Sequence, residues 1–332
     1  MKLFLAPALL AFSSAAIAQD APDPPTPASI IAAAPAADWR PIDPADLLVM
    51  TLAPDRDGNP RQVVIQLMPA PFSQGWVGNI RALAKAHWWD GTSVYRVVDN
   101  WVAQWGDGED DEAKAKPLPE GLREVPESEY LTRLPVLTDA AVRGPISRTL
   151  GLDPYRVQPD FFQGWPIARL LPGQPIVAVD AQGRPIPDPP GELAGPVHCY
   201  GSVGVARDTE TTGTGSELYA VIGHAPRQLD RNIAVVGRVI EGIEHLSTLP
   251  RGQGEAGVYD DAALRVPIVS VRLGNEVSYL PQPHFEYLAS DSGSFARYVE
   301  VRANRNDAFY KVPAGGIDVC NVQVPIRRVM SE

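Results

Sequence analysis

The stretch from Val94 to Asp107 constrains this chain more than any other. Val94-Tyr95-Arg96-Val97-Val98 and Trp101-Val102-Ala103-Gln104-Trp105 are short apolar runs separated by Asp99-Asn100, and the second ends at Gly106-Asp107. This is the composition of a tight hairpin. Each run carries one side chain at odds with its neighbours, Arg96 in the first and Gln104 in the second. A cation and an amide among aromatic and aliphatic groups are costly to bury unless both find partners. Two readings follow: a hairpin whose Arg faces water, or a polar-edged apolar pocket.

The surrounding pattern is mainly β. Residues 47–53 and 62–68 are strand-like runs joined by Asp55-Arg56-Asp57-Gly58-Asn59, a turn-rich connection. Ser73 is placed to cap a helix carrying Trp76, Val77, Ile80, Leu83, Ala84 and His87 on one face. Further strands are expected over 202–206, 218–222, 233–239 and 266–273. A helix with Ile240, Ile243, Leu246 and Leu249 at helical spacing lies between the last two. The 34 prolines are spread through the chain and favour extended loops over helix. They crowd a long stretch after Asp107 that begins with an acidic run and regains regular pattern at Gly201. Residues 276–332 carry apolar segments at 295–301 and 308–312, read as a pair of strands or a helix and a strand, enough to dock on a main domain and too little to fold alone.

Residues 1–18 have the form of a secretory signal: Lys2, an apolar run over 3–12, and Ala16-Ile17-Ala18 before Gln19. Cleavage after Ala18 and release to the periplasm or medium is expected. The apolar run is too short to anchor the chain in a bilayer. Residues 19–38, rich in Ala and Pro, read as a flexible linker, with order beginning near Trp39. In an oxidising compartment Cys199 and Cys320, the two cysteines of the chain, are reasonable disulfide partners, the alternative being two buried thiols.

Several function classes are excluded. A net charge of −11 argues against binding nucleic acid through phosphate contacts. Gly252, Gly254 and Gly257 spell GxGxxG, but the motif follows a helix instead of opening one. His198 beside Cys199 has no further ligand at metal spacing, so neither metal nor cofactor is expected. Ser216 with His224 lacks an acid partner for hydrolysis.

The order of these elements resembles the cyclophilin-type peptidyl-prolyl isomerases. The resemblance rests on Val63 to Leu67 with Pro69-Ala70-Pro71, then Asn79 and Arg81-Ala82-Leu83. It continues through Tyr95-Arg96-Val97-Val98 and Trp101-Val102-Ala103-Gln104, then Gly204-Val205-Ala206 and Gly215-Ser216-Glu217-Leu218-Tyr219. Leu229-Asp230 and Val236-Gly237-Arg238-Val239 complete it. It implies a closed, antiparallel eight-stranded barrel capped by two helices over residues 39–275, interrupted by an insertion at 107–200, with 276–332 as an extension docked on the barrel. It implies a monomer that isomerises X-Pro bonds in unfolded or extended polypeptides. Arg96 matches the family's catalytic Arg and Gln104 the amide that orients it. Trp101, Val102, Tyr219 and Leu229 match the walls around the proline ring, and Ala206 and Arg207 match positions whose backbone pairs with the substrate. Trp101, Val102, Arg207 and Glu217 stand where the family commonly has Phe, Met, Asn and Gln. So altered, the same scaffold also fits a catalytically weak binding or chaperone module.

Overall fold

The computed structural model describes residues 23–109, 111, 113–134, 149–150, 153, 155, 158–170, 192–277 and 284–329. Residues 1–18, read as a secretory signal, and residues 19–22 lie outside them. After β1 (Trp39–Ile42) come β2 (Leu47–Leu52), β3 (Arg61–Leu67), β4 (Ser93–Val97) and β5 (Val102–Gly106). The insertion supplies β6 (Thr132–Leu134), β7 (Gln158–Phe162), β8 (Trp165–Leu170) and β9 (Glu192–Pro196). Then follow β10 (Ser202–Val205), β11 (Leu218–Val221), β12 (Val235–Glu241) and β13 (Val266–Leu273). The tail adds β14 (Phe285–Leu288) and β15 (Ile326–Arg328). Strands β10-β11-β5-β4-β13-β2-β3-β12 close, in that order, into the expected antiparallel barrel.

Alternation along β2 and β3 explains why both read as near-continuous apolar runs. Leu48, Met50 and Leu52, with Val63, Ile65 and Leu67, point into the barrel core. The intervening Leu47 and Val64 point outward, where Phe285 of the tail covers them together with Ile42. Successive strand residues alternate faces, and a strand covered on both faces is apolar throughout. One end of the barrel is closed by α2 (Gln74–Lys85), whose Trp76, Val77, Ile80, Leu83 and Ala84 enter the core. Leu246 of the short α3 (Glu244–Ser247) and Leu249 beyond it join the same core. Residues 240 and 241, expected in that helix, instead finish β12. Ser73 does not cap α2: it sits at φ 55° with no side-chain bond, and Glu129 of the insertion accepts from the Gly75 N–H at 3.0 Å.

The rest of the chain departs further from expectation. The segment read as a flexible linker contains α1 (Pro27–Ala33), which has a reciprocal Thr26–Ser29 capping box and buries Ile30. The insertion, read as extended loop, holds an antiparallel sheet of order β6-β9-β8-β7. Pro159 lies in its edge strand, where a missing N–H is tolerated. Segment 295–301 is helical, within α4 (Gly293–Ala303), and 308–312 forms no strand. β1, β14 and β15 make a separate three-stranded sheet.

These additions share a second core. Ile30 and Trp39 from the N-terminal segment, Phe161 and Val197 from the insertion, and Leu288 and Phe295 from the tail pack together. Cys199 and Cys320 are disulfide-bonded across it. Arg238 of β12 latches the insertion to the barrel. Its Nη1 donates to the Gly164 carbonyl at 2.7 Å, its other nitrogens donate to Gln66, and its guanidinium lies 4.3 Å from the Trp165 ring.

Candidate active site

The hairpin of β4 and β5 is where sequence and geometry meet. Val94 pairs with Trp105, but the next pair is Arg96 with Gln104, leaving Tyr95 as the extra residue of a β-bulge. The bulge lets two consecutive residues reach one partner. Arg96 Nη1 donates to Gln104 Oε1 at 2.8 Å, and Gln104 Nε2 donates to the Tyr95 hydroxyl. That hydroxyl donates in turn to Glu217 Oε2 at 2.9 Å, whose other oxygen accepts the Asp107 N–H at 2.8 Å. Arg96 Nε donates to the Ala256 carbonyl at 2.6 Å, and its guanidinium lies 5.4 Å from the Trp101 ring centre. No carboxylate of the described residues pairs with Arg96; the Glu217 carboxylate engages Tyr95.

Beside the guanidinium lies an apolar floor. Val102 and Tyr219 are buried, with Trp101, Ala206, Leu229 and Ile233 packed against them. Tyr219 stands opposite Gln104 on one neighbouring strand and Gly204 on the other. Its phenol occupies the space beside Gly204, where a Cβ would fall 2.3 Å from the phenol oxygen. The hydroxyl meets His198 Nε2 at 2.9 Å, and His198 Nδ1 meets Asp230 at 2.9 Å. Asp230 follows Leu229 directly, so one buried chain of polar contacts fixes two walls of the floor.

Every site residue expected from the sequence lines one open cleft of about 1200 Å³: Arg96, Gln104, Trp101, Val102, Ala206, Arg207, Glu217, Tyr219 and Leu229. Arg207 turns its guanidinium aside, donating to the carbonyls of Asn232 (2.9 Å) and Asp208 (2.6 Å). Tyr95, Ala256 and the insertion segment 118–119 and 121–127 also line the cleft and were not foreseen. Tyr95 was hidden because strict strand alternation turns it away from Arg96, and a bulge has no reliable signature in one sequence. Burial, together with Glu217, holds the Tyr95 phenol far above its ordinary range, so it stays a donor. Burial also raises the Glu217 carboxyl and lowers the Arg96 guanidinium.

The sequence profile of the cyclophilin type peptidyl-prolyl cis-trans isomerase/CLD family matches residues 59–273. The chain belongs to the cyclophilin family. Its fold is similar to that of the cyclophilin AquaCyp293 from Hirschia baltica, with TM-score 0.60 and 21% identity over 93% of this chain and 99% of that one. A cyclophilin type peptidyl-prolyl cis-trans isomerase from Cryptosporidium parvum aligns over 69% of this chain and 96% of its own, with 11% identity and TM-score 0.36. No curated protein matches this cyclophilin by sequence. The AquaCyp293 likeness spans nearly the whole chain, additions included, whereas the family profile covers the cyclophilin domain itself.

Proposed function

We propose that this cyclophilin accelerates cis–trans exchange of X-Pro bonds in unfolded or extended polypeptides, acting outside the cytoplasm as a monomer without a membrane anchor. The uncatalysed barrier is about 18–20 kcal/mol because rotation breaks amide conjugation. Rotation also localises a lone pair on the prolyl nitrogen. A guanidinium aimed at that nitrogen interacts more strongly with the twisted amide than with the planar one, which is selective transition-state stabilisation. Arg96 is the cation for this step and Gln104 its orienting partner. Trp101, Val102, Tyr219 and Leu229 hold the ring, while the backbone at Ala206 and Arg207 and the nearby Glu217 border the substrate strand. The observation that carries this reading is the half-buried Arg96, held by Gln104 and the Ala256 carbonyl at the rim of an apolar floor and unpaired with any described carboxylate.

Exchange spectroscopy on a short Ala-Pro peptide, with and without the protein, tests the activity. Arg96→Ala is expected to lower kcat/KM by about a hundredfold or more, as loss of one preorganised charge stabiliser does, with the fold intact by circular dichroism. Equal rates for variant and wild type would remove Arg96 from the chemistry. The extracytoplasmic reading is supported by the signal pattern and the Cys199–Cys320 bond, a feature of oxidising compartments. A mature N-terminus at Gln19 in the exported fraction is the expected mass-spectrometric result.

One observation favours a second reading. The insertion segment 118–119 and 121–127 makes the far wall of the cleft, giving room for more chain than a single proline. A binding or chaperone module would hold unfolded clients there. Client binding that persists in Arg96→Ala, with no exchange activity in the wild type, would favour this reading over the first.

A further inference from the structure

The hydrogen-bond chain behind Arg96 has a direction, and its far end sets that direction. An ionised carboxylate can only accept, and Glu217 accepts from both the Tyr95 hydroxyl and the Asp107 N–H. With its proton committed to Glu217, the Tyr95 oxygen can offer only lone pairs to Gln104. The Gln104 amide must then turn its NH2 toward Tyr95 and its carbonyl toward Arg96, as observed. The opposite amide orientation would set an NH2 against a guanidinium, two donors with no acceptor between them. We propose that Glu217 and Tyr95 are positioning residues of this isomerase, the Glu217 carboxylate fixing Gln104 through Tyr95 and so holding Arg96 at the proline pocket. This rests on Arg96 being the catalytic cation and adds two residues that act through it.

The end of β5 is shaped for this chain. Gly106, at φ 151°, leaves room where a Cβ would fall 2.2 Å from the Glu217 carboxylate. Gly108, at φ 61°, does the same for the Tyr95 ring, at 2.6 Å. Side chains at those two positions would push Glu217 and Tyr95 apart. The titratable groups facing Glu217 are Tyr95 from β4 and Asp107 beyond β5, with Arg96 standing behind Gln104. Burial raises the Glu217 carboxyl and the Asp107 charge adds to it, opposed by the Tyr95 bond and the backbone N–H groups of Asp107 and Gly108. Protonation turns Glu217 into a donor, which can reverse Tyr95 and release Gln104. Activity therefore belongs to the ionised form. It is lost as pH falls through a titration lying above the ordinary carboxylate range.

The test is the pH profile of kcat/KM for exchange in an Ala-Pro peptide, read on the full chain. The wild type is expected to fall about tenfold as pH drops through the Glu217 titration and then to level off, because the protonated form has lost the same relay that Tyr95→Phe removes. Glu217→Gln cannot titrate and is expected to flatten that limb. Tyr95→Phe keeps the ring and removes the relay, so it should lower kcat/KM by about tenfold and flatten the limb as well. A purely structural role would move the unfolding midpoint and leave the shape of the profile unchanged. An acid limb retained in Glu217→Gln, or wild-type kcat/KM in Tyr95→Phe, overturns the proposal. Arg96→Ala measured in parallel separates the two ideas. If it alone abolishes exchange while both positioning variants behave as wild type, the catalytic reading stands and this one falls; if it has no effect, both fall.

Discussion

At the scale of single residues, the Tyr219–His198–Asp230 chain shows how a pocket wall is held from behind. His198 is fully buried, and Asp230 accepts from both its backbone N–H (2.8 Å) and its Nδ1 (2.9 Å). In the neutral imidazole, an Nδ1 proton so placed makes Nε2 the acceptor for the Tyr219 hydroxyl. Removing one partner strands the other in a site that water does not reach. His198→Ala is expected to cost about 1–3 kcal/mol for the orphaned hydroxyl, in addition to the lost ring packing. Tyr219→Phe made in the His198→Ala background is expected to cost much less than in the wild type, because the polar atom it deletes is already unsatisfied. Urea unfolding of the four proteins in this cycle measures the coupling, and additive losses would show that the contact carries no energy. Tyr219 and Asp230 were each noted in the sequence, but not the relay that joins them through His198. His198 was noted there only beside Cys199, because its partners lie 21 and 32 residues further along the chain.

At the scale of elements, what was legible is what local pattern determines. β13 falls on the expected residues, and β2, β3, β10 and β11 begin and end within a residue or so of the apolar runs that announce them. The Arg/Gln hairpin formed where two apolar runs flank a short turn, but its register shifts at the Tyr95 bulge, which the local pattern does not announce. Elements stabilised by distant partners were not legible. The strands of the insertion depend on one another and on a second core assembled from three parts of the chain. α1 is the plainest case: seven residues of Ala-rich sequence are too few to hold a helix in water. It persists because Ile30 joins that second core alongside Phe295 and Val299 of α4. Ile30→Asp is therefore expected to release α1 with little effect on the barrel. Amide exchange at Ile30 to Ala33 should become as fast as in an unfolded peptide, while Ala-Pro exchange activity stays at the wild-type rate. Continued protection would mean that capping by Thr26 and Ser29 suffices without docking.

At the scale of the molecule, two cores share one chain. The barrel core and the floor beside Arg96 draw chiefly on the cyclophilin domain, and the second core draws on the N-terminal segment, the insertion and the tail. The Cys199–Cys320 bond lies in the second core and joins residues 121 apart in sequence. In the chain-entropy account, closing so long a loop stabilises by at most roughly 5 kcal/mol, mostly by restricting the unfolded chain. Replacing both cysteines by serine should therefore lower the unfolding midpoint of the second core first. The Arg96 side of the cleft has its own supports in Gln104, Ala256 and the barrel strands, so kcat/KM should stay within about threefold of wild type. His198 is a residue through which the loss could reach the pocket, since it precedes Cys199 and its carbonyl lies 3.5 Å from the Cys320 sulfur. Its imidazole, however, is held by Asp230 and Tyr219, and both belong to the cyclophilin domain. Parallel denaturation and exchange assays on the double-serine variant decide the point. A fall in kcat/KM matching the fall in stability would show that the two cores act as one unit; retained activity at a lowered midpoint would show that the barrel holds its site without the clasp.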